Sequence, residues 1–195
     1  LIINLSKDLK IAAYSAKKAN INRIIYLRTI PIPIKNTFLN RYIFNNFLTD
    51  IIVNSKATKE SILNNNNKII SENKIKVIYN PINCDEFINR PFELLYKKNP
   101  EEIVIGSLGR LTSEKNHKFL IYLSIALNKN NIKHKILIGG KGALENELIS
   151  LINENSLNDN IIMAGFIDNV KDLLCSCDIF VLPSFVLLEL DVLTR

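Results

Sequence analysis

Short runs of Ile and Val alternate with longer segments of helical periodicity along the whole chain, the pattern of parallel strands joined by crossover helices. In the first half it predicts strands at the opening LIINL, at residues 24–27, 50–54 and 76–79, and helices at 7–19, 36–48 and 56–63. Ser55 is placed to cap the last of these helices. Asn80-Pro81 ends the series, and residues 84–100 hold two prolines and several charges with little periodicity, which marks a boundary. A second series follows: strand 103–107, helix 115–128, strand 135–138, helix 144–153, strand 161–164, helix 170–175 and strand 179–182. In the fourth of these, Leu144, Leu148 and Leu151 fall at spacings of four and three, so one apolar stripe faces a sheet. The fold class is α/β, with domains at 1–98 and 99–195.

Composition refines this picture only in part. The 195 residues, 47% of them hydrophobic, suffice to bury a real core. No apolar run approaches the roughly 18 residues of a spanning helix, and the amino terminus has no basic, apolar and small-residue signal pattern, so export and membrane spanning are not expected. Three cysteines, two of them the neighbours Cys175 and Cys177, make no disulfide framework and fit a cytoplasmic location, with all three structural or incidental. The chain opens at Leu1 inside a strand pattern, and is expected to be truncated there. The run Asn64 to Asn67 reads as an AT-rich coding bias and is given no function.

Charge divides the halves. Before Asn99 there are 16 Lys and Arg against 7 Asp and Glu, and from there onward 9 against 12. A basic first half suits an anionic lipid, a phosphorylated acceptor or nucleic acid; a merely solvated surface fits it as well. No nucleic-acid motif is present, so nucleic acid is not an expected partner. His117 and His134 lack a second ligand at metal spacing, and no zinc site is expected.

The candidate chemistry lies in the second half. Strand 103–107 runs into Gly109-Arg110-Leu111-Thr112-Ser113-Glu114-Lys115, a sharp turn at the carboxyl edge where open α/β sheets bind ligands. Arg110 offers a planar fork of donors for phosphate oxygens, and Lys115, expected to begin the next helix, adds a cation near that helix's positive end. Taken alone the pair also reads as ordinary surface residues, with Glu114 balancing one charge. The next strand ends in Gly139-Gly140-Lys141-Gly142, a second glycine turn at the same edge. Its spacing fits neither a dinucleotide fingerprint nor a P-loop, and by itself it is also a tight connection.

"GRLTSEKNHKFLI", "ILIGGKGALENELISLI" and "IIMAGFIDNVKDLLCSCDIFVLPS" stand in the order and spacing of the donor domain of GT-B glycosyltransferases of family four, which residues 102–184 resemble. A more general similarity to the acceptor domain extends through "DIIVNSKATKESI" and "VIYNPINCDEF". The resemblance implies two Rossmann-like domains with parallel sheets, both incomplete. It implies transfer of a sugar from a nucleoside-diphosphate sugar with retention, a hexosyltransferase-like activity on an envelope polysaccharide or lipid-linked acceptor, without a cofactor or an obligatory metal.

Arg110 and Lys115 match the family's diphosphate-binding pair, whose charge would stabilise the leaving nucleoside diphosphate. Gly109, Gly139, Gly140, Phe166 and Val170 match donor-nucleotide positions, with the Gly165-Phe166 turn beside the base. After Pro183-Ser184 the chain departs from the family. The first family glutamate is absent, so no catalytic residue is assigned, and Glu189 matches the second, ribose-binding glutamate if a loop has been deleted; a frame change near Phe185 explains the same tail.

Arg28, following a strand, would face an anionic acceptor, or would simply be a solvent-facing residue at a strand end. The segment "NTFLNRYIFNNFL" would rest on the inner face of the cytoplasmic membrane, or contribute its aromatics to the core. The competing function is an inactive remnant or a nucleotide-binding module without turnover, because incomplete sheets expose edges.

Overall fold

The structure is a computed structural model and describes residues 1–29, 33–64 and 69–185. It divides into two compact units, the first spanning Leu1–Pro81 and the second beginning at Ile82.

In the first unit β1 (Ile2–Ile3), α1 (Leu9–Lys18), β2 (Ile25–Arg28), α2 (Phe38–Asn46), β3 (Asp50–Val53), α3 (Lys56–Leu63) and β4 (Ile75–Val77) follow one another. The four strands form one parallel sheet in the order β1-β2-β3-β4. Alternate residues of β2 and β3 are buried, so Tyr26, Ile51 and Val53 join Ala13, Phe44 and Ile62 in one core. Each large apolar side chain buried there contributes about 1.5–3 kcal/mol. Hydroxyls stop the helices from fraying. Ser55 Oγ accepts from the Thr58 amide, as its sequence position suggested, and Thr37 Oγ accepts from the Asn40 amide.

The second unit holds α4 (Cys84–Asn89), β5 (Ile103–Leu108), α5 (Lys118–Lys129), β6 (His134–Gly139), α6 (Glu145–Glu154), β7 (Ile161–Gly165), α7 (Val170–Ser176) and β8 (Ile179–Phe180). Its strands are parallel in the order β7-β6-β5-β8. Strand pleating sends Ile105, Ile136 and Ile138 to one face, against Leu120 and Ile121 of α5 and Leu148 of α6. It sends Val104 and Leu137 to the other, against Leu173 of α7. The sheet is therefore covered on both sides, and the strand order reverses between β5 and β8. Open parallel sheets of this kind bind ligands at the carboxyl ends of their strands.

Two local expectations change. The helix expected from residue 115 is divided: Ser113–Lys115 forms a 3-10 turn, Asn116 takes a left-handed conformation at φ 52°, and α5 begins at Lys118. Lys115 thus ends a turn instead of opening a helix. Residues 84–100, which have no apolar rhythm, contain α4, capped by Asn83 Oδ1 on the Glu86 amide and carrying Asp85 and Glu86 in its first turn. All six of its residues are exposed, so no apolar stripe advertises it.

The stretch from Pro91 to Lys98 is tied to α7 and to the strand that follows it. Asn169 donates to the Pro91 carbonyl, the Leu95 amide to Ser176 Oγ, and Lys98 Nζ to Asp178 Oδ1 at 2.5 Å. The Lys98 ammonium, then the Val104 amide at 2.9 Å, hold the Asp178 carboxyl below its ordinary value. Its contribution to stability is complete above the usual carboxylate pKa of about 3.9 and is lost as pH falls through the lowered native value. Asp178→Asn should therefore flatten the acid limb of a pH–stability curve relative to wild type, as measured by urea unfolding, with the difference between the two proteins largest at neutral pH.

Candidate functional site

Three backbone turns are joined at the carboxyl edge of the second sheet. The Gly109 amide donates to the Gly139 carbonyl at 3.0 Å, the Gly140 amide to the Gly165 carbonyl at 2.6 Å, and the Leu111 amide to the Lys141 carbonyl at 3.0 Å. The contact is close enough to require glycine. A β-carbon on Gly140 would lie 1.9 Å from the Gly109 carbonyl oxygen, and Gly140 has φ 130°, a conformation that side chains rarely adopt. The turns converge because each follows a neighbouring strand of one parallel sheet.

Between them is a hollow of about 380 Å³. Leu108, Gly109 and Arg110 form one wall, Gly140 and Lys141 the second, and Phe166 and Ile167 the third. Phe166 is 70% exposed, so an aromatic face is offered at the rim to any planar ligand. Arg110 is exposed and rests on Glu114, with Nη2 to Oε1 at 3.3 Å. Lys115 stands behind Gly109: its Cδ is 3.8 Å from the point a β-carbon on Gly109 would occupy. Arg110 and Lys115 thus flank the same glycine turn, with Arg110 lining the hollow itself.

Of the other residues expected here, Gly109, Gly140 and Phe166 line the hollow. Gly139 stands just behind, where an added β-carbon would meet Ile167 at 2.4 Å. Val170 opens α7, outside the lining set. Glu189 lies outside the described residues. Ile167 follows the Gly165-Phe166 turn that the resemblance puts beside the base; Lys141 was not given a role in the sequence, although its position inside the glycine turn was the available signal.

The two histidines differ. His134 is hydrogen-bonded at both nitrogens, Nε2 with Ser124 Oγ at 2.7 Å and Nδ1 with the Ile132 carbonyl at 2.9 Å. His117 is buried beside Gly109, and burial, then the nearby Lys115 ammonium, push its pKa below the ordinary imidazole value. Among the described residues no group of three or more His, Cys, Asp and Glu side chains is placed to hold a metal. All three cysteines are free, and burial pushes the Cys177 thiol up.

In the first unit Arg28 is not solvent-facing. It is 9% exposed at the end of β2, and Nη1 donates to the Tyr26 hydroxyl at 3.0 Å and Ser6 Oγ at 3.4 Å. With Lys10 and Lys35 it lines a second hollow of about 380 Å³. The segment around α2 is mixed: Ile43 and Phe44 are core, whereas Phe38, Leu39 and Tyr42 are exposed.

Residues 95–189 match the family model described as glycosyl transferases group 1. The second unit resembles group 1 glycosyltransferases. Among curated relatives, the chain is 31% identical over 152 residues to N-acetylgalactosamine-N,N'-diacetylbacillosaminyl-diphospho-undecaprenol 4-alpha-N-acetylgalactosaminyltransferase of Campylobacter jejuni, covering 76% of this chain and 40% of that protein. It is 33% identical over 144 residues to an uncharacterized glycosyltransferase of Methanocaldococcus jannaschii, covering 69% of this chain and 36% of the relative. The chain thus spans well under half the length of these relatives. Among solved structures, Anabaena HepE in complex with UDP superposes with a TM-score of 0.69 at 19% identity, over 95% of this chain and 53% of that one. The likeness shows the fold: two Rossmann-like halves with parallel sheets, as in GT-B glycosyltransferases.

Proposed function

We propose that this chain is part of a retaining glycosyltransferase that moves a sugar from a nucleoside-diphosphate sugar to an envelope polysaccharide or a lipid-linked acceptor. The observation that carries the reading is the convergence of the Gly109-Arg110 turn and the Gly140 turn on one hollow, at the carboxyl edge of the parallel sheet. The cationic side chains of Arg110 and Lys141 in its lining suit phosphate oxygens, and the exposed Phe166 ring suits a base. Arg110 and Lys115 would offset the negative charge that grows on the departing nucleoside diphosphate. No cofactor is needed for such a transfer, and no metal ion is obligatory when two cations serve the diphosphate.

The relatives support the donor and acceptor classes: one is described as acting on a diphospho-undecaprenol substrate, and one neighbour is a complex with UDP. The reading is tested by calorimetric titration of the chain with UDP and UDP-glucose, followed by assay for sugar transfer or donor hydrolysis. Binding is the expected result; a chain that binds no nucleoside diphosphate of any base would overturn it.

The first unit has a feature that favours contact with an anionic membrane face. Ile11 and Tyr14 of α1 and Leu39 and Tyr42 of α2 line one apolar groove and are exposed. Lys10 borders this groove, and Lys18 Nζ lies 5.1 Å from the Tyr14 ring centroid. Residues 1–49 carry eight Lys and Arg against one Asp. Apolar side chains rimmed by lysines suit the headgroup boundary of anionic lipid. The chain should sediment with phosphatidylglycerol vesicles and not with phosphatidylcholine ones, and Ile11→Glu should weaken that binding several-fold while leaving UDP affinity unchanged. Equal sedimentation with both lipids would contradict the idea.

A further inference from the structure

His117 occupies a position that packing alone does not explain. The residue is 3% exposed at the start of α5, yet among the described residues its Nδ1 has no hydrogen-bond partner, unlike both nitrogens of His134. A buried polar nitrogen left unmet is destabilising, and an apolar side chain of similar bulk would avoid that cost. The ring stands directly against the donor turn. Its Cε1 and Nε2 lie 3.6 and 3.7 Å from the point a β-carbon on Gly109 would occupy, and Lys115 Cδ lies 3.8 Å from the same point. Ser107, two residues before Gly109 and so on the same side of the strand, is likewise fully buried with no partner for Oγ. The bare face of Gly109 thus fronts the His117 ring and the Lys115 side chain, and Gly109 itself lines the hollow.

We propose that His117 is an anion-binding residue of the donor site, which takes a proton from solvent and shares the diphosphate's charge with Lys115 and Arg110 when a nucleotide sugar seats on the Gly109 turn. The proposal rests on the donor-site reading above. In the free protein, burial and then the Lys115 ammonium push the imidazole below its ordinary value. Of the charges next to it in the chain, Glu114 of the turn pairs with Arg110, and Lys118 of α5 pairs with Glu147 of α6. A diphosphate on the turn reverses the field that Lys115 imposes, and that nearby negative charge favours the protonated ring. Binding raises the imidazole pKa. The extra affinity is then complete below the free-state value and is lost as pH rises through the ligand-bound value.

The chain contains two histidines, so the test can be run on the unaltered protein. Imidazole resonances of the histidine-labelled chain are titrated with acid, with and without saturating UDP-glucose, whose phosphates do not titrate in the histidine range. The His117 signal, assigned by its loss in His117→Gln, should titrate below the ordinary value when free. It should move up by about one unit on binding, which corresponds to about tenfold tighter binding by the charged form. The His134 titration should not move. His117→Gln should bind UDP-glucose with an affinity that no longer rises on acidification.

If UDP-glucose binds, and Arg110→Ala weakens it, but the His117 titration stays where it was, this inference fails and the donor-site reading stands. If the unaltered chain binds neither UDP-glucose nor the nucleotide sugars of guanine, adenine and thymine, both fail together.

Discussion

Gly140→Ala is expected to cost the second unit about 3 kcal/mol or more and to abolish binding of UDP. The added carbon would sit 1.9 Å from the Gly109 carbonyl oxygen. That neighbour is backbone and cannot rotate aside, so the turn after β5 and the turn after β6 must separate. The residue also sits at φ 130°, where an alanine is strained by about 1–3 kcal/mol before any contact is counted. Separation would pull the Gly140 amide from the Gly165 carbonyl and move Arg110 away from the hollow. Gly165→Ala is the matched control. It too has a positive φ, 67°, but nothing lies within 4 Å of an added β-carbon, so its cost is about 1 kcal/mol and binding survives. Thermal unfolding and UDP calorimetry of the two variants should differ sharply; similar behaviour would mean that the joined turns do not build the site.

Arg110→Ala should weaken UDP binding by about 10- to 100-fold, the loss of one or two charge-assisted hydrogen bonds at about 1.5–3 kcal/mol each, reduced by exposure to salt. The same variant should unfold within about 0.5 kcal/mol of wild type, because an ion pair as exposed as that with Glu114 stabilises the fold little. Loss of affinity without loss of stability is the signature of a ligand-facing guanidinium. Arg110→Lys should recover only part of the affinity, since a single ammonium cannot reproduce the planar fork. Unchanged affinity in Arg110→Ala would remove the diphosphate from this turn.

What was legible in the sequence follows from which signals are local. The Ile and Val runs of β5, β6 and β7 and the stripe through Leu148 reported their own burial, because both sheet faces and the inner helix faces are covered. Gly109 and Gly139-Gly140 were legible as turns since only glycine relieves such close backbone approach, and consecutive parallel strands deliver their turns to one edge. Ser55 showed its capping role by position alone. Lys115 was misplaced by three residues because Asn116 in a left-handed conformation looks, in sequence, like any polar residue in a helix. Arg28 was hidden for a different reason. Its burial depends on the Tyr26 hydroxyl and on Ser6, partners brought to it by β2 itself and by a segment about twenty residues away. His117 carried no periodic signal of its role, since a helix-start histidine on an apolar side reads as core until its unmet nitrogen and its contact with Gly109 are seen.

The Arg110 to Glu114 pair sets a condition on whatever enters the hollow. A visiting anion must displace a carboxylate four residues along the same turn, but with both partners exposed that pair holds weakly. Displacing it costs any visitor little, so what separates visitors is how many of the guanidinium's donors each can engage at once. Two adjacent phosphate oxygens engage two of them, and a halide only one.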